Sequence, residues 1–200
     1  MKVVIIKYNA GNIMSVDYAL QRLGIEADVT NDKEKILSAD KVIFPGVGEA
    51  STTMHFLRQH KLDEVIISLK QPVLGICLGM QLMCRHSTEN NVDCLGIFNE
   101  HVVRFQPEAG MENITKVPLM GWNDINNLRS DLFDSSIEGQ FVYFVHSYYA
   151  KLGEHTAAIC NYIVPFSAAL HKENFYATQF HPEKSGPVGE KILKNFIEKC

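Results

Sequence analysis

The chain has 200 residues, of which 46% are hydrophobic and 21% are charged, and its net charge is −4. This length and composition are typical of one globular domain, here residues 1–200, with enough apolar side chains to form a core. The negative charge argues against nucleic acid as the main partner, because phosphate binding favours a basic surface.

In the first half of the chain, short apolar runs that predict strands alternate with segments of helical periodicity. The run Val3–Ile6 predicts a strand buried on both faces and is too short for a signal peptide. A helix should follow and end at Gly24; its apolar residues at helical spacing are Met14, Tyr18, Leu20 and Leu23. No stretch approaches the roughly 20 apolar residues of a membrane helix. We therefore expect a cytoplasmic protein that contacts no membrane.

Three further strands are predicted in the first half, with helices between them. They lie around Val29, at residues 42–44 and at residues 73–76, and Pro45-Gly46 should end the second of them. Strands separated by helices predict right-handed crossovers and a parallel sheet.

The second half is richer in strands with short connections. They are predicted at residues 101–105, 141–145, 156–163 and 175–180. We expect these strands to add to the sheet in antiparallel fashion. A final helix should begin near Gly189 and bury Ile192, Leu193, Phe196 and Ile197. The predicted fold class is α/β, a mostly parallel central sheet with helices on both faces plus antiparallel additions.

Five cysteines, at positions 77, 84, 94, 160 and 200, include no CxxC pair. This odd set fits neither a disulfide framework nor a zinc ribbon, and we expect no metal and no cofactor. Most cysteines should be small buried core residues, and we interpret Cys84, further along the helix that follows Cys77, in this way.

Cys77 differs because it lies in the turn GICLG, between an apolar strand and a helix. A sharp strand-to-helix turn leaves no room beside a nucleophile, so glycine is needed on both sides. The helix start would favour the thiolate, and the N–H of Leu78 could donate to an oxyanion. The alternative is a buried cysteine where strand and helix pack closely. Gln81 falls on the same helix face and could reach a ligand over the sulfur, although a lone glutamine is more often a surface residue.

A cysteine nucleophile needs a base and an orienting acid, and His181-Pro182-Glu183 supplies both. Proline favours an extended His181, and residues two apart in an extended segment point to the same side. The alternative is a surface turn, but the predicted strand at 175–180 should bring His181 to the ligand-binding edge of the sheet. His55, His60 and His86 lie in polar helical or loop contexts and are interpreted as solvated, whereas His101, His155 and His171 lie at strand starts or edges and have no neighbouring acid at a useful spacing.

The glycine-rich loop PGVG follows another predicted strand. It lacks the third glycine and the acidic residue of a dinucleotide-binding loop, which argues against nucleotide binding. Instead, the backbone N–H groups of Val47 and Gly48 could face the thiol and complete an oxyanion hole. The glycines would let this peptide rotate, so that the hole forms only on demand.

The segment GICLGMQ, with HPE far downstream, resembles the class I (triad) glutamine amidotransferases, which have a flavodoxin-like fold. PGVGEAS, PLMGWNDI, FVHSYYA and ATQFHPEKSG extend the resemblance over the whole chain, to the subfamily of histidine biosynthesis. The resemblance implies hydrolysis of glutamine to glutamate and ammonia through a γ-glutamyl thioester on Cys77. It implies substrate contacts from Gly48, Gln81, His146, Ser147 and Tyr148, and a partner interface with Asn12, Trp122 and Lys184.

The partner in this subfamily is a (β/α)8-barrel cyclase, so a heterodimer is expected. Free ammonia is mostly protonated in neutral water and no longer nucleophilic, which also favours a dry path to an acceptor on another chain. Three alternatives stay open. The chain could be a catalytically silent binding module, although all triad residues are present, or a cysteine hydrolase unconnected to glutamine. It could also be an amidotransferase of the same family that serves a surface-sugar pathway.

Overall fold

The computed structural model describes residues 1–8, 12–107, 109–110 and 115–200. Strands and helices alternate in the first half of the chain. In order they are β1 (Val3–Ile6), α1 (Ile13–Arg22), β2 (Ala27–Thr30), α2 (Lys33–Leu37), β3 (Lys41–Gly46), α3 (Ala50–Gln59), α4 (Leu62–Ser68), β4 (Val73–Cys77) and α5 (Leu78–Met83).

Strands dominate the second half. They are β5 (His86–Ser87), β6 (Val92–Asp93), β7 (His101–Arg104), β8 (Leu119–Asp124), β9 (Phe141–His146), β10 (Tyr148–Ala150), β11 (Thr156–Asn161), β12 (Pro165–Lys172) and β13 (Phe175–Thr178), and the last element is α6 (Gly186–Lys199). Short 3-10 turns lie at Ser135–Ile137 and Pro182–Lys184.

The central sheet has seven strands in the order β11-β12-β13-β4-β3-β1-β2. The five strands from β13 to β2 pair in parallel, and β11, β12 and β13 pair antiparallel. One apolar layer lies between the sheet and α1 with α6, and the other lies under α2 to α5. Strands covered on both faces are buried throughout, as β1, β3, β4 and β13 are. The predicted α/β class is confirmed.

The predicted antiparallel additions are right for one part of the chain and wrong for another. β11 and β12 extend the central sheet, although β12 was not predicted. β7 instead belongs to a four-stranded sheet of order β10-β7-β5-β6, and β9 pairs with β8 in a separate two-stranded ribbon. Apolar alternation predicts that a strand exists, but it does not identify the partner strand.

Pro45-Gly46 does not end β3, contrary to the prediction. These residues pair with Ile76 and Cys77 of β4, while β1 pairs with β3 only as far as Ile43. The missing N–H of Pro45 therefore costs no ladder hydrogen bond on the β1 side.

Helix α1 ends before Gly24, as predicted, but it buries a different set of residues. Its buried residues are Val16, Ala19 and Leu20, whereas the side chains of Met14 and Tyr18 are 55% and 54% exposed. Helix α6 begins at Gly186, earlier than predicted, and buries the four predicted apolar residues. Within the described ranges, no helix combines the length and apolar composition that a membrane span requires.

Candidate active site

Three neighbouring strands of the central sheet bring the predicted catalytic segments together. β4 lies between β3 and β13, with Gly46 paired to Cys77 and Thr178 paired to Ile76. Because these strands are parallel, their carboxyl ends meet at one edge of the sheet, where ligands bind in such folds. The loop after β3, the thiol of Cys77 and the segment after β13 are therefore adjacent.

Cys77 forms the turn between β4 and α5. Its φ of 55° and ψ of −108° are uncommon for a residue other than glycine, and such conformations cluster at functional sites. A Cβ at Gly79 would lie 1.9 Å from the carbonyl oxygen of Phe44, and one at Gly75 would lie 2.7 Å from the sulfur of Met83. A side chain at Gly79 would clash with the backbone, and one at Gly75 would force the Met83 side chain to move.

His181 and Glu183 form a buried pair beside the turn. The His181 Nδ1 lies 2.7 Å from the Glu183 Oε1, and the two side chains are 1% and 0% exposed. His181 is extended, as predicted, but the Pro182–Lys184 segment is a 3-10 turn. It is this turn, and not the predicted extended geometry, that brings the carboxylate back to the imidazole.

The charge state of His181 follows from its neighbours. Burial alone would lower its pKa, but the neighbouring Cys77 and the hydrogen-bonded Glu183 outweigh burial and raise the pKa of His181 well above its ordinary value. Since Nδ1 binds Glu183, Nε2 is the ring nitrogen that makes no hydrogen bond to the described residues, and His181 and Cys77 line the same cavity. A histidine held by a carboxylate beside a cysteine is the arrangement of base and orienting acid that nucleophilic cysteine chemistry uses.

Asn12 was predicted at a partner interface, and the structure gives it a contact within the site. Its Nδ2 donates to the Glu183 Oε1 at 2.5 Å and lies 3.4 Å from the His181 Nδ1. The side chain is part-buried. Asn12 thus helps to orient the acid that orients the base.

A cavity of about 300 Å³ opens in front of Cys77 and His181. Its volume suits a small amino-acid ligand. It is lined by all residues predicted for the oxyanion hole and substrate binding, namely Val47, Gly48, Leu78, Gln81, His146, Ser147 and Tyr148. Trp122 and Lys184, predicted at a partner interface, do not line the cavity.

Gln81 is a buried member of the site, so the surface interpretation is wrong. Its side chain is 5% exposed, and its Nε2 donates to the Tyr148 carbonyl at 2.8 Å and to the Gln179 Oε1 at 3.0 Å. The Oε1 of Gln81 is left for a ligand. Cys84 is fully buried, as predicted, but it is the C-cap of the short helix α5 and not a residue further along it.

Glu89 lines the cavity and was missed at the sequence level. Its Oε2 accepts from the Ala50 N–H at 2.8 Å, and burial raises the pKa of this carboxyl group. The other carboxylate oxygen is available to a cationic ligand. The polar segment that carries Glu89 gives no local signal of this role, because only the tertiary fold places it beside Cys77.

Gln179 was also missed, although it lies two residues before His181. Its side chain is fully buried, and its Nε2 lies 3.8 Å from the Cys77 sulfur. Alternation along an extended segment could have placed Gln179 on the same side as His181.

His155 has an acidic partner, contrary to the prediction. Its Nδ1 lies 3.0 Å from the Glu100 Oε2, and its backbone N–H donates to the Glu100 Oε1 at 2.9 Å. The two residues are 55 positions apart, so sequence spacing could not reveal the pair. Neither lines the cavity at Cys77.

His146 is a neutral histidine in the cavity wall. Its Nδ1 donates to the Tyr148 carbonyl at 2.8 Å, and burial lowers its pKa to about 4. Three rings surround it at centroid distances of 5.4 to 5.6 Å, from Phe105, Phe144 and Phe166. A group with this pKa is a poor general base near neutral pH, so His181 is the better candidate.

The depressed pKa of His146 predicts a pH dependence of stability. The unfolded chain binds a proton at His146 below about pH 6.5, whereas the folded chain does so only near pH 4. The contribution of neutral His146 to the free energy of unfolding is therefore fully present above pH 6.5 and is lost as pH falls towards 4. At pH 5 the loss is about 2 kcal/mol. Urea unfolding at pH 8 and pH 5 measures it.

The decrease in the free energy of unfolding from pH 8 to pH 5 should be smaller in His146→Gln than in the wild type, by about 2 kcal/mol. His55→Gln, which changes an exposed histidine, is the matched control and should keep the wild-type decrease. Equal decreases in all three proteins would contradict the assignment.

A buried cysteine at a strand-to-helix turn, with a histidine–glutamate pair at a cavity of amino-acid size, is the arrangement typical of cysteine-dependent triad enzymes of the α/β class. The model of the family "Glutamine amidotransferase class-I" matches residues 4–200. The chain belongs to this family.

Curated relatives resemble the chain over its whole length. The imidazole glycerol phosphate synthase subunit HisH of Bacteroides fragilis is 67% identical and covers 99% of this chain and 100% of its own. The HisH subunit of Haemophilus influenzae is 47% identical, covering 100% and 98%. That of Escherichia coli K12 is 46% identical, covering 99% and 100%.

Solved structures show the same fold at low sequence identity. A glutamine amidotransferase matches with a TM-score of 0.74 at 19% identity, covering 98% of this chain and 97% of its own. The structure of PurLQS from Thermotoga maritima matches with a TM-score of 0.68 at 16% identity and the same coverage.

Proposed function

We propose that this chain is the glutaminase subunit of imidazole glycerol phosphate synthase. It hydrolyses glutamine to glutamate and ammonia on Cys77 and passes the ammonia to a (β/α)8-barrel cyclase subunit. The observation that carries the chemistry is the buried His181–Glu183 pair, whose Nδ1–Oε1 distance is 2.7 Å, next to Cys77 at the cavity. The relatives at 46 to 67% identity over their full lengths support the choice of synthase.

The reaction follows from the geometry. His181 takes the thiol proton, and the Cys77 thiolate attacks the γ-carbonyl carbon of glutamine. The Leu78 N–H, at the first residue of α5, and the Val47–Gly48 loop hold the oxyanion. His181 then gives its proton to the departing ammonia and leaves a thioester. Neutral His181 next takes a proton from a water, which attacks the thioester carbonyl, breaks its bond to the Cys77 sulfur and releases glutamate; Glu183 stabilises the imidazolium each time it forms.

The charges around the cavity fit the amino-acid end of glutamine. The free oxygen of Glu89 and the Oε1 of Gln81 are acceptors suited to an α-ammonium group. Gly48, Ser147 and Tyr148 line the same space and complete the substrate contacts that we propose.

An exposed apolar face beside the cavity supports a docked partner. Met120, Trp122 and Phe141 of the β8–β9 ribbon have exposed fractions of 66%, 55% and 56%. Met120 pairs in register with Val145, which lines the cavity. Exposed apolar side chains clustered in this way mark interaction sites, and this face borders the cavity at Val145.

The same face is connected to the base. The Trp122 ring packs edge-on against Tyr143 at 6.0 Å, and the Tyr143 carbonyl accepts the His181 N–H at 2.9 Å. Lys184, exposed and next to Glu183, lies on the connecting turn, and Asn12 reaches the same carboxylate. We propose that the cyclase docks on Trp122, Asn12 and Lys184.

Replacing Trp122 with alanine should weaken binding to the cyclase by about tenfold or more, because buried tryptophans dominate interface energies. Isothermal titration of the purified subunits measures the dissociation constant. Leu37→Ala is the matched control, since Leu37 is 52% exposed on α2, away from the ribbon. Equal affinities of the Trp122→Ala variant and the wild type would exclude this docking face.

Glutamine-dependent product formation by the complex tests the function itself. The complex should use glutamine as nitrogen source, and a complex with Cys77→Ala should require added ammonia. A chain that hydrolyses glutamine but neither binds nor supplies this cyclase would instead be an amidotransferase with another acceptor, such as one of a surface-sugar pathway.

A further inference from the structure

We propose that Gln179 is a further catalytic residue, whose side-chain amide donates a hydrogen bond to the sulfur of Cys77 and stabilises the thiolate. The inference rests on the proposed role of Cys77 as nucleophile. The Gln179 Nε2 lies 3.8 Å from the Cys77 Sγ, within reach of a hydrogen bond to sulfur.

A backbone carbonyl fixes the orientation of both amides involved. The Tyr148 carbonyl can only accept, so the group of Gln81 that faces it must be the NH₂. The second hydrogen of that NH₂ goes to Gln179 at 3.0 Å, which therefore presents its oxygen to Gln81. The opposite side of the Gln179 amide, facing the sulfur, must then be its NH₂. Flipping either amide would set two donors or two acceptors against each other.

Burial makes this donor effective. Gln179 is fully buried and Gln81 is 5% exposed, so water competes little for the N–H group. The Gln179 backbone N–H is bound to the Ala168 carbonyl at 2.8 Å, which holds the residue in place. A hydrogen bond to the charged form of a group favours that form, and it is stronger in a site with little water.

The chain of hydrogen bonds also joins substrate binding to the nucleophile. Gln81 lines the cavity and keeps its Oε1 for the ligand, while its Nε2 holds Gln179 against Cys77. One row of amides thus positions the sulfur relative to the amino-acid end of the substrate.

Two variants separate the donor from the rest of the side chain. Gln179→Met removes both the donor and the acceptor for Gln81 at similar length. Gln179→Glu keeps an acceptor for Gln81 but replaces the N–H facing the sulfur with an oxygen. Gln59→Glu makes the same chemical change at an exposed position on α3 and is the matched control.

The experiment is the pH dependence of Cys77 alkylation by iodoacetamide in the purified chain, followed by mass spectrometry of the Cys77 peptide. In Gln179→Met the curve of alkylation rate against pH should move to higher pH by about one pH unit. At a pH below the midpoint of this curve, Cys77 should then be alkylated about tenfold more slowly. Gln179→Glu should move it at least as far, and Gln59→Glu should leave it unchanged. In the cyclase complex, kcat for glutamine should fall about tenfold in Gln179→Met, with a smaller change in KM.

Profiles that superimpose on the wild type in a folded Gln179→Met would overturn the proposal. Circular dichroism and the thermal midpoint establish folding, and Gln179→Met alone decides the question if Gln179→Glu does not fold. Alkylation needs no glutamine, so it separates this inference from the proposed function. An inactive wild-type complex with shifted variant profiles would contradict the function and leave the Gln179 hydrogen bond standing.

Discussion

Cys77→Ala should abolish glutamate release from glutamine, by at least about ten-thousandfold, because Cys77 is the one cysteine among the described residues that line the cavity. The His181–Glu183 pair and the cavity would remain, but no nucleophile would lie at the strand-to-helix turn. A coupled assay of glutamate in the presence of the cyclase measures the loss. The fold should survive, since the sulfur makes up little of the core beneath the turn.

Cys94→Ser is the matched control for this variant. Cys94 is half-buried, and burial raises the pKa of its thiol to about 12, so it is a poor nucleophile. Its replacement should leave glutaminase activity and cyclase binding near wild-type values. Glutaminase activity that persists in Cys77→Ala would refute the mechanism.

The isolated chain should hydrolyse glutamine about 100 to 1,000 times more slowly than its complex with the cyclase and the nucleotide ligand of the cyclase. This range is the effect of one missing oxyanion donor. The structure shows where the Val47–Gly48 peptide could rotate to form the oxyanion hole. A Cβ at Gly46 would lie 2.5 Å from the Tyr8 hydroxyl, which itself donates to the Pro45 carbonyl at 2.6 Å, so the start of the loop is fixed.

The loop beyond this fixed point has more freedom. Gly48 has a φ of 116°, and nothing lies within 4 Å of a Cβ built there. Glycine tolerates peptide rotation at such a position, so the hole can form when the partner docks. Glutaminase rates of the chain alone, with the cyclase, and with the cyclase plus its ligand test the idea; the ligand without the cyclase is the control. Full turnover by the chain alone would refute it.

The sequence was most informative where local chemistry and strand order act together. The GICLG turn, the HPE segment and the PGVG loop each follow a strand, and parallel pairing brings strand ends to one edge. The sequence therefore predicts that Cys77, His181 and the Val47–Gly48 loop lie together at that edge. It did not predict the ribbon of β8 and β9, because the partner of an antiparallel strand depends on distant residues.

Long-range contacts explain why the sequence did not predict the position of Glu89 or the partner of His155. Glu89 lines the cavity and accepts from the Ala50 N–H across 39 positions, and His155 meets Glu100 across 55 positions. The exposure of Tyr18 shows the same limit. Helical spacing grouped Tyr18 with Leu20, but only Leu20 faces the sheet. Nothing in the described part of the chain explains the apolar character of Tyr18.

The most direct test of the account is covalent labelling with a diazoketone analogue of glutamine, which alkylates an amidotransferase nucleophile irreversibly. Nucleophilic catalysis by Cys77 predicts an adduct on Cys77 and on none of the other four cysteines. Glutamine should protect Cys77 from labelling, and Cys77→Ala should form no adduct. An adduct on another residue, or continued glutamate release from a chain fully labelled at Cys77, would contradict it.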